Sequence, residues 1–243
     1  MIDRILITGS TGLLGQALAS AFATDHNEIV ASQASRTRAT ELAVVTAPMS
    51  QQDFAVADLD EAVRHFTARV HNELGQPNIA VLNAAAQDVT PWHELAAADW
   101  DEMYQSTFRS TAVLLHKLGE QMIELDHPNR VIVVIGSIEG IRPAPGHAPY
   151  ATMKAAVHHL VAAAAHELGV HGVRVVNIAP GLIYRPGLET DWADGVQRWQ
   201  LAAALGRAVT AEEVAATVKF VASEGASGIS GITIPVDAGW SAH

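Results

Sequence analysis

The sequence contains no cysteine. This absence excludes disulfide bonds, a thiolate nucleophile and any cysteine-ligated metal site. It is typical of a protein that works in a reducing compartment, and we expect the chain to be cytoplasmic. Histidine is frequent but scattered, and the adjacent His158 and His159 point about 100° apart on a helix, whereas metal-binding pairs prefer a spacing of four. The sequence therefore predicts no metal site.

Positive charge and long apolar runs are also scarce. Lys and Arg number 15 against 26 Asp and Glu, which gives a formal net charge of −11. This balance argues against a broad electrostatic attraction to nucleic acid. No apolar run reaches membrane-spanning length, and the N-terminus lacks the basic and apolar stretches of a signal peptide. We therefore expect neither a nucleic-acid nor a membrane partner.

Short runs rich in Val and Ile alternate with helical stretches along the whole chain. Most of these runs are apolar throughout, which is typical of parallel strands covered by helices on both faces. The sequence thus predicts an α/β fold, a Rossmann-type doubly wound parallel sheet of about seven strands, in one domain over residues 1–243. The predicted strands are Ile5–Thr8, Ile29–Ser32, Phe54–Ala57, Ile79–Leu82, Val131–Ile135, Val173–Ile178 and Ile232–Val236.

Helices are predicted between these strands, together with one irregular insertion. The helical ranges are Leu14–Ala23, Glu61–Leu74, Trp100–Glu124, Tyr150–Leu168 and Ala211–Ser223. The polar, tryptophan-bearing segment 184–207 follows a predicted strand end, where a long insertion often covers a ligand. We expect this segment to act as a substrate lid.

A glycine-rich turn follows the first predicted strand and opens the first helix. In such a turn glycine takes positive φ and lets the backbone approach a pyrophosphate, while the helix N-terminus supplies amide donors. By itself the turn is equally consistent with a plain structural connection. The candidate cofactor-binding residues are Gly9, Ser10, Thr11, Gly12, Leu13, Leu14 and Gly15.

Two later strand ends carry further candidates. Asn83, Ala84 and Ala85 follow the strand that a doubly wound sheet places beside the glycine turn, and their small size leaves room for a ligand ring. Tyr150 and Lys154 share one face of a predicted helix, and Ser137 precedes them at a strand end. An adjacent ammonium favours a phenolate and lowers its pKa, so this trio is suited to acid–base chemistry on a carbonyl. A surface helix with an incidental Tyr and Lys is the alternative.

Taken together, these motifs resemble the short-chain dehydrogenase/reductase family over Ile5 to about Trp240. The matching residues are TGxxGxxG at Thr8–Gly15, Asp58-Leu59, Asn83-Ala84-Ala85, Ser137, YxxxK at Tyr150–Lys154, Asn177-Ile-Ala-Pro180-Gly181, and Asp237-Ala238-Gly239-Trp240. Ile183 is a further cofactor-binding candidate. The resemblance implies a nicotinamide cofactor over the glycine turn and proton donation by Tyr150. It also implies Asp58 near the adenine, Asn83 near the adenosine ribose, Lys154 at the nicotinamide ribose, and Pro180 and Gly181 flanking the nicotinamide. A homo-oligomer, a tetramer or dimer built through the two long helices, is a further implication.

Three features depart from the family pattern. The glycine spacing is usual in the longer, extended branch of epimerases and dehydratases, although the chain length fits the shorter reductase branch. Thr107 stands where the shorter branch usually has an asparagine that supports a proton-relay water. The threonine hydroxyl either holds a water near Lys154 or bonds to its own helix backbone. Ala238 stands where glycine is more common, which we expect to be a minor change.

The resemblance implies an oxidoreductase that interconverts a carbonyl and an alcohol, with 3-oxoacyl-carrier-protein reduction as the default substrate assignment. An inactive NADP-binding regulatory protein is the alternative suggested by Thr107, and a short epimerase or dehydratase is a third. Because the second strand ends without a carboxylate for a ribose hydroxyl, we expect NADP rather than NAD, bound through Ser35, Arg36 and Arg38. The substrate-pocket candidates are Glu139, Arg142, His147, Tyr184 and Arg185, of which an arginine would suit a carboxylate or phosphate.

Overall fold

A computed structural model describes residues 3–23, 28–31 and 59–242, the second range by its backbone alone. The strands of these ranges form one six-stranded sheet in the order β2-β1-β3-β4-β5-β6, and all neighbouring strands are parallel. They are β1 (Arg4–Ile7), β2 (Glu28–Ala31), β3 (Ile79–Leu82), β4 (Arg130–Ile135), β5 (Val173–Pro180) and β6 (Thr233–Val236). The chain therefore winds outward in both directions from β1 and β3, and the predicted Rossmann-type fold is confirmed.

Six of the predicted strands correspond to observed strands, with bounds that differ by at most two residues. The predicted strand Phe54–Ala57 lies outside the described residues. The helices are α1 (Leu13–Ala23), α2 (Leu59–Leu74), α3 (Ala97–Met103), α4 (Ser110–Ile123), α5 (Ala148–Gly169), α6 (Leu188–Asp191), α7 (Ala193–Ala202) and α8 (Ala211–Ala222).

The helices cover both faces of the sheet because successive strand residues point to opposite sides. Ile5 and Ile7 of β1 belong to a core that includes residues of α1 and α8. Leu6 between them belongs to a second core, formed with α2, α4 and α5. This two-sided burial explains why the strands are apolar at consecutive positions instead of alternating.

The helix predicted over Trp100–Glu124 is not continuous. It consists of α3, a π-helical turn at Tyr104–Arg109, and α4. The wide turn contains Thr107, which is almost completely buried. Single π-helical turns inside α-helices often occur at functional sites, because the extra residue redirects side chains and backbone groups.

Segment 184–207 contains α6 and α7 and is held against the end of the chain. The Trp199 indole stacks on Trp240, with ring centroids 5.1 Å apart and planes 3° apart. The Leu205 amide also donates to the Ala238 carbonyl over 2.9 Å. The segment is therefore packed on the residues that follow β6.

Ala238 has an unusual backbone conformation at this contact. Its φ is +58°, and it is the only residue other than glycine that has a positive φ in the described ranges. An L-residue in the left-handed region costs roughly 1–2 kcal/mol. The expectation that alanine is a minor change here is wrong, because the position requires a conformation that glycine adopts more easily.

The described ranges contain neither a membrane-spanning helix nor a metal-binding cluster. No helix there is both long enough and apolar enough to cross a membrane. The side chains of the same residues include no group of three or more histidine, aspartate or glutamate residues arranged to hold a metal ion.

Candidate active site

The glycine-rich turn connects β1 to α1 and is locked to the neighbouring strand β3. Gly9 has a φ of +65°, which a side chain would strain. The Gly12 amide donates to the Gly9 carbonyl over 3.3 Å. Gly15 packs so closely on the Gly9 carbonyl that a Cβ atom would overlap it. The turn therefore presents backbone, without side chains, at the N-terminus of α1.

Polar contacts join this turn to the end of β3. The Thr8 hydroxyl accepts from the Asn83 amide at 2.9 Å and from the Ala84 amide at 3.1 Å. The Asn83 side chain donates to the Gly9 carbonyl at 3.1 Å. Asn83 thus fixes the position of the glycine turn.

A cavity of about 520 Å³ lies between the turn, the end of β3 and α4. Ten of the predicted cofactor residues line it, namely Gly9, Thr11, Gly12, Leu13, Leu14, Gly15, Asn83, Ala84, Ala85 and Ile183. The sequence analysis missed other lining residues, which belong to no short motif: Thr8, Leu82, Gln87, Ser106, Ser110, Thr111 and Leu114. The α4 residues could have been found from their four-residue spacing on one helix face, since Ser110 and Leu114 are neighbours there.

The remaining predicted cofactor residues, which include Tyr150 and Lys154, are not among the residues that line this cavity. Leu59 is completely buried in the core beside α2, so its side chain has no surface for a cofactor. Pro180 and Gly181 lie at the end of β5, where the Gly181 amide donates to the Val236 carbonyl over 2.9 Å. Ser10 is half-buried in the turn. The predicted residues Ser35, Arg36, Arg38 and Asp58 lie outside the described residues.

The structure brings Ser137, Tyr150 and Lys154 together. Ser137 follows β4 and hydrogen-bonds to the Tyr150 hydroxyl, and its own oxygen accepts from the Glu139 amide at 3.1 Å. Helix α5 begins two residues before Tyr150. One turn later, Lys154 donates its ammonium proton to the Ile135 carbonyl at 2.9 Å. That ammonium lies 5.6 Å from the centroid of the Tyr150 ring.

Burial controls the pKa values of this trio. Burial raises the pKa of Tyr150 to about 12, the Ser137 hydrogen bond opposes that change, and the negative charge of Glu139 adds to it. Burial also lowers the pKa of Lys154 to about 8. The expected lowering of the Tyr150 pKa by Lys154 is therefore wrong for this structure. The ammonium is bonded to a backbone carbonyl and lies over the ring instead of beside the hydroxyl, so it does not outweigh desolvation.

Glu139 and His147 form a hydrogen-bonded pair next to the trio. The Nδ1 atom of His147 lies 2.9 Å and 2.8 Å from the two carboxylate oxygens of Glu139. The hydrogen bond that His147 donates to the Glu139 carboxylate raises the pKa of His147. The edge of the His147 ring faces Tyr150, with centroids 6.2 Å apart. Gln87, which lines the cavity, lies 3.5 Å from the same ring nitrogen, so the pair connects the cavity to Tyr150.

The other predicted pocket residues differ in their surroundings. Arg142 is exposed. Arg185 pairs with Asp191 at 2.7 Å, and Tyr184 keeps 42% of its surface exposed. The guanidinium of Arg185 is thus already engaged by a carboxylate on α6.

A second histidine, His158, lies next to the backbone of Ser137. It lies one turn after Lys154 on α5 and hydrogen-bonds to the Ser137 backbone. Desolvation and the nearby Lys154 charge lower the pKa of His158 to about 4, so the ring is neutral near pH 7. A Cβ atom at Gly136 would lie 2.7 Å from His158 Nε2 and 2.6 Å from Asn177 Oδ1. Glycine at position 136 therefore makes room for both side chains.

Thr107 makes neither of the contacts that the sequence suggested, because its hydroxyl bonds to a neighbouring segment. Its hydroxyl donates to the Ala86 carbonyl over 3.3 Å, and not to its own helix. The residue is only 1% exposed. Thr107 therefore connects the π-helical turn to the segment after β3.

Comparison with known proteins agrees with this geometry. The family model described as enoyl-(acyl carrier protein) reductase matches residues 11–241. A short-chain dehydrogenase/reductase from Armillaria gallica is 32% identical, over 96% of this chain and 94% of its own length. Galactitol 2-dehydrogenase from Rhizobium johnstonii is 30% identical, over 98% of this chain and 95% of its own.

A solved structure is similar over the whole fold. The short-chain dehydrogenase/reductase from Burkholderia thailandensis is 25% identical, covers 100% of this chain and 94% of its own, and superposes with a TM-score of 0.85. Sheet order, glycine turn and the Ser137–Tyr150–Lys154 cluster thus agree with the sequence relationships. The chain belongs to the short-chain dehydrogenase/reductase family of oxidoreductases.

Proposed function

We propose that the protein interconverts a secondary alcohol and the corresponding ketone, or a primary alcohol and an aldehyde, using a nicotinamide dinucleotide. The observation that carries this proposal is the hydrogen-bonded contact of Ser137 with Tyr150, beside the buried Lys154. Gln87 of the cavity lies 3.5 Å from the His147 ring, and that ring faces Tyr150, so the trio is linked to the cavity beside the glycine turn. The similarity to galactitol 2-dehydrogenase supports chemistry at a secondary carbinol.

The residues of the cavity fit a dinucleotide. Close packing at Gly15 and positive φ at Gly9 keep side chains out of the space before α1, where backbone amides and the helix dipole favour a pyrophosphate. Gly12 and Thr11 line the same wall. When bound, the nicotinamide supplies or accepts the hydride.

The protein residues handle the substrate oxygen and its proton. The Ser137 hydroxyl holds that oxygen by a hydrogen bond, and the Tyr150 hydroxyl donates or accepts the proton. Since the pKa of Tyr150 is raised to about 12, the phenol is protonated at neutral pH and ready to act as an acid in reduction. Lys154 holds its charge near the ring and supplies a donor for the cofactor ribose.

Several finer features belong to the same proposal. NADP is the proposed cofactor, with Ser35, Arg36 and Arg38 contacting its 2′-phosphate. We propose a single cytoplasmic domain over residues 1–243, with segment 184–207 as its lid. A homo-oligomer, a tetramer or dimer formed through α4 and α5, is supported by an exposed face of α5 that carries the small residues Ala155, Ala162 and Ala163. Small side chains there allow a second helix to approach closely.

Tyr150→Phe is the variant that tests the function. It removes the proton donor and keeps the ring, so kcat should fall by at least about 10²–10⁴-fold while nucleotide affinity stays within about threefold. Lys154→Met should weaken both turnover and nucleotide binding. Tyr104→Phe, which changes a half-exposed tyrosine packed against Phe108, is the control and should be unaffected.

The measurements are steady-state kinetics with NADPH and with NADH on a panel of ketones, together with titration of each nucleotide. A higher kcat/KM with NADPH is expected, and a clear preference for NADH would reject the NADP assignment. Substantial turnover by Tyr150→Phe would reject the mechanism. Nucleotide binding without turnover on any ketone or alcohol would favour the regulatory alternative that Thr107 suggested.

A further inference from the structure

The Glu139–His147 pair lies where a substrate group next to the reacting carbon would reach. Glu139 is two residues after Ser137, and His147 is three residues before Tyr150. The Glu139 amide donates to the Ser137 hydroxyl oxygen at 3.1 Å, so the carboxylate is anchored to the serine. The His147 ring contacts Tyr150 edge-on at 6.2 Å. Both side chains therefore lie close to the two hydroxyls that hold the substrate oxygen.

The pair retains hydrogen-bonding capacity. An ionised carboxylate has about four acceptor positions, and a single His147 N–H shared between the two oxygens leaves others unfilled. The side chains of His147 and Glu139 remain 16% and 15% exposed. Glu139 can therefore accept a hydrogen bond from a further hydroxyl that enters beside Tyr150.

The local charge disfavours an anionic substrate. Glu139 is close enough to Tyr150 to raise its pKa. Among the arginines that the sequence suggested as clamps for an anion, Arg142 is exposed to solvent and Arg185 is paired with Asp191. A carboxylate or phosphate beside the reacting carbon would thus meet the negative charge of Glu139, and like charges repel.

We propose that the substrate is an uncharged vicinal diol, or the corresponding α-hydroxy ketone, whose second hydroxyl donates to Glu139. This inference rests on the proposed function. In oxidation, the Tyr150 phenol first releases its proton to solvent, the carbinol C–H then leaves as hydride to NAD(P)⁺, and the carbinol O–H proton passes to the Tyr150 phenolate, so the products are the hydroxy ketone, NAD(P)H and a proton. Glu139 takes no part in these transfers and determines specificity, and His147 is a positioning residue that orients its carboxylate.

Three four-carbon alcohols that share a methyl carbinol test the proposal. Butane-2,3-diol has a second hydroxyl on the carbon next to the carbinol, butan-2-ol lacks it, and 3-hydroxybutanoate lacks it and carries a carboxylate one carbon further on. With the preferred nucleotide at one fixed pH, kcat/KM for butane-2,3-diol should exceed that for butan-2-ol at least about tenfold, because a hydrogen bond to a charged group is worth more than a neutral one. The value for 3-hydroxybutanoate should be the lowest.

Glu139→Gln removes the charge and keeps the side-chain size. The ratio of kcat/KM for the diol over butan-2-ol should fall about tenfold, while kcat/KM for 3-hydroxybutanoate should rise. His147→Gln should lower the same ratio by a smaller factor. A general loss of folded protein would lower kcat/KM for all substrates alike and leave the ratio unchanged. Glu212→Gln changes an exposed glutamate of α8, outside segment 184–207, and is the matched control.

The outcomes separate this inference from the proposed function. An unchanged ratio in Glu139→Gln, or a wild-type preference for butan-2-ol or 3-hydroxybutanoate, overturns the inference and leaves the oxidoreductase assignment intact. Turnover of other ketones, with none of the three alcohols oxidised, also overturns the inference and leaves the oxidoreductase assignment intact. Absence of turnover with every alcohol and ketone, with either nucleotide, is the result that rejects the proposed function itself.

Discussion

Thr107 illustrates how one side chain replaces a family residue by bonding elsewhere. Its hydroxyl is committed to the Ala86 carbonyl, between the π-helical turn and the segment that follows the cavity-lining residues after β3. A hydroxyl in that bond is not aimed at Lys154. The direct transfers that involve Ser137 and Tyr150 do not depend on it, so only the resupply of protons to Lys154 would be affected by the missing asparagine.

Thr107→Val should lower stability more than catalysis. Valine has nearly the same shape, but the Ala86 carbonyl loses its donor, which costs about 1–3 kcal/mol in the free energy of unfolding. The decrease in kcat should be at or below about 10²-fold, the lower bound of general acid–base assistance. Denaturant titration and steady-state kinetics measure the two effects. Thr152→Val, which removes an exposed hydroxyl bonded to its own helix, is the control. A drop in kcat as large as that of Tyr150→Phe would assign Thr107 a direct role.

The catalytic trio was predictable, because helical spacing places Tyr150 and Lys154 on one helix face and the fold places Ser137 at an adjacent strand end. Their pKa values were not, since burial and the charge of Glu139 depend on packing that spacing does not reveal. The backbone strain at Ala238 could not be predicted either, because nothing in the sequence indicates that this alanine has a φ of 58°.

At the scale of elements, β4, the turn after it and α5 act as one unit. Lys154 and His158 both bond to this connection, at the Ile135 carbonyl and the Ser137 backbone. Gly136 permits the close approach. The sequence analysis considered His158 only as half of an improbable metal pair, because helical spacing relates it to Lys154 but does not show what the strand end offers it.

Gly136→Ala should disturb this unit through His158. The new methyl group would overlap His158 Nε2 and the Asn177 amide, displacing the turn that carries Ser137. We expect a decrease in kcat/KM of about 10-fold or more, since small displacements of catalytic groups have large effects. Combining it with His158→Ala should cost less than the sum of the two single changes, because both act on the same space. Additive losses in the double-mutant cycle would contradict this coupling, and His159→Ala on the exposed side of α5 is the control.

For the whole molecule, the two-sided sheet was predictable because short hydrophobic runs without alternation are typical of parallel strands buried on both faces. The continuous helix predicted over Trp100–Glu124 was wrong at its centre, since a π-helical turn keeps the hydrophobic period nearly unchanged while adding one residue. The contacts of segment 184–207 were also beyond prediction, because they pair Trp199 with a residue 41 positions later.

The buried Lys154 should make overall stability depend on pH. Burial lowers its pKa from 10.5 to about 8, so between these values the unfolded chain binds more protons than the folded one. The penalty of burying the charge is present in full below pH 8 and fades as the pH rises toward 10.5. The free energy of unfolding should therefore gain up to about 1.4 kcal/mol per pH unit in this window.

Lys154→Met provides the comparison that isolates this effect. Subtracting its free energy of unfolding from that of the wild type, at each pH from about 7 to about 10, removes the contribution of the growing net negative charge. The free energy of unfolding of the wild type should increase relative to that of Lys154→Met as the pH rises above about 8. Urea titrations at fixed ionic strength measure it, and a pH-independent difference would mean that Lys154 stays charged throughout.

The stacked indoles of Trp199 and Trp240 have an optical consequence. Two indoles whose planes are nearly parallel and whose centroids lie 5.1 Å apart share their electronic excitation, which gives the pair a circular dichroism signal of its own. Trp92 and Trp100 lie outside segment 184–207, so their contribution forms a background that does not depend on where the segment sits. Any movement of the segment away from the end of the chain separates the two rings and extinguishes the coupled signal. The molecule thus carries its own label-free gauge of whether segment 184–207 is packed against the end of the chain, readable in solution without a substrate.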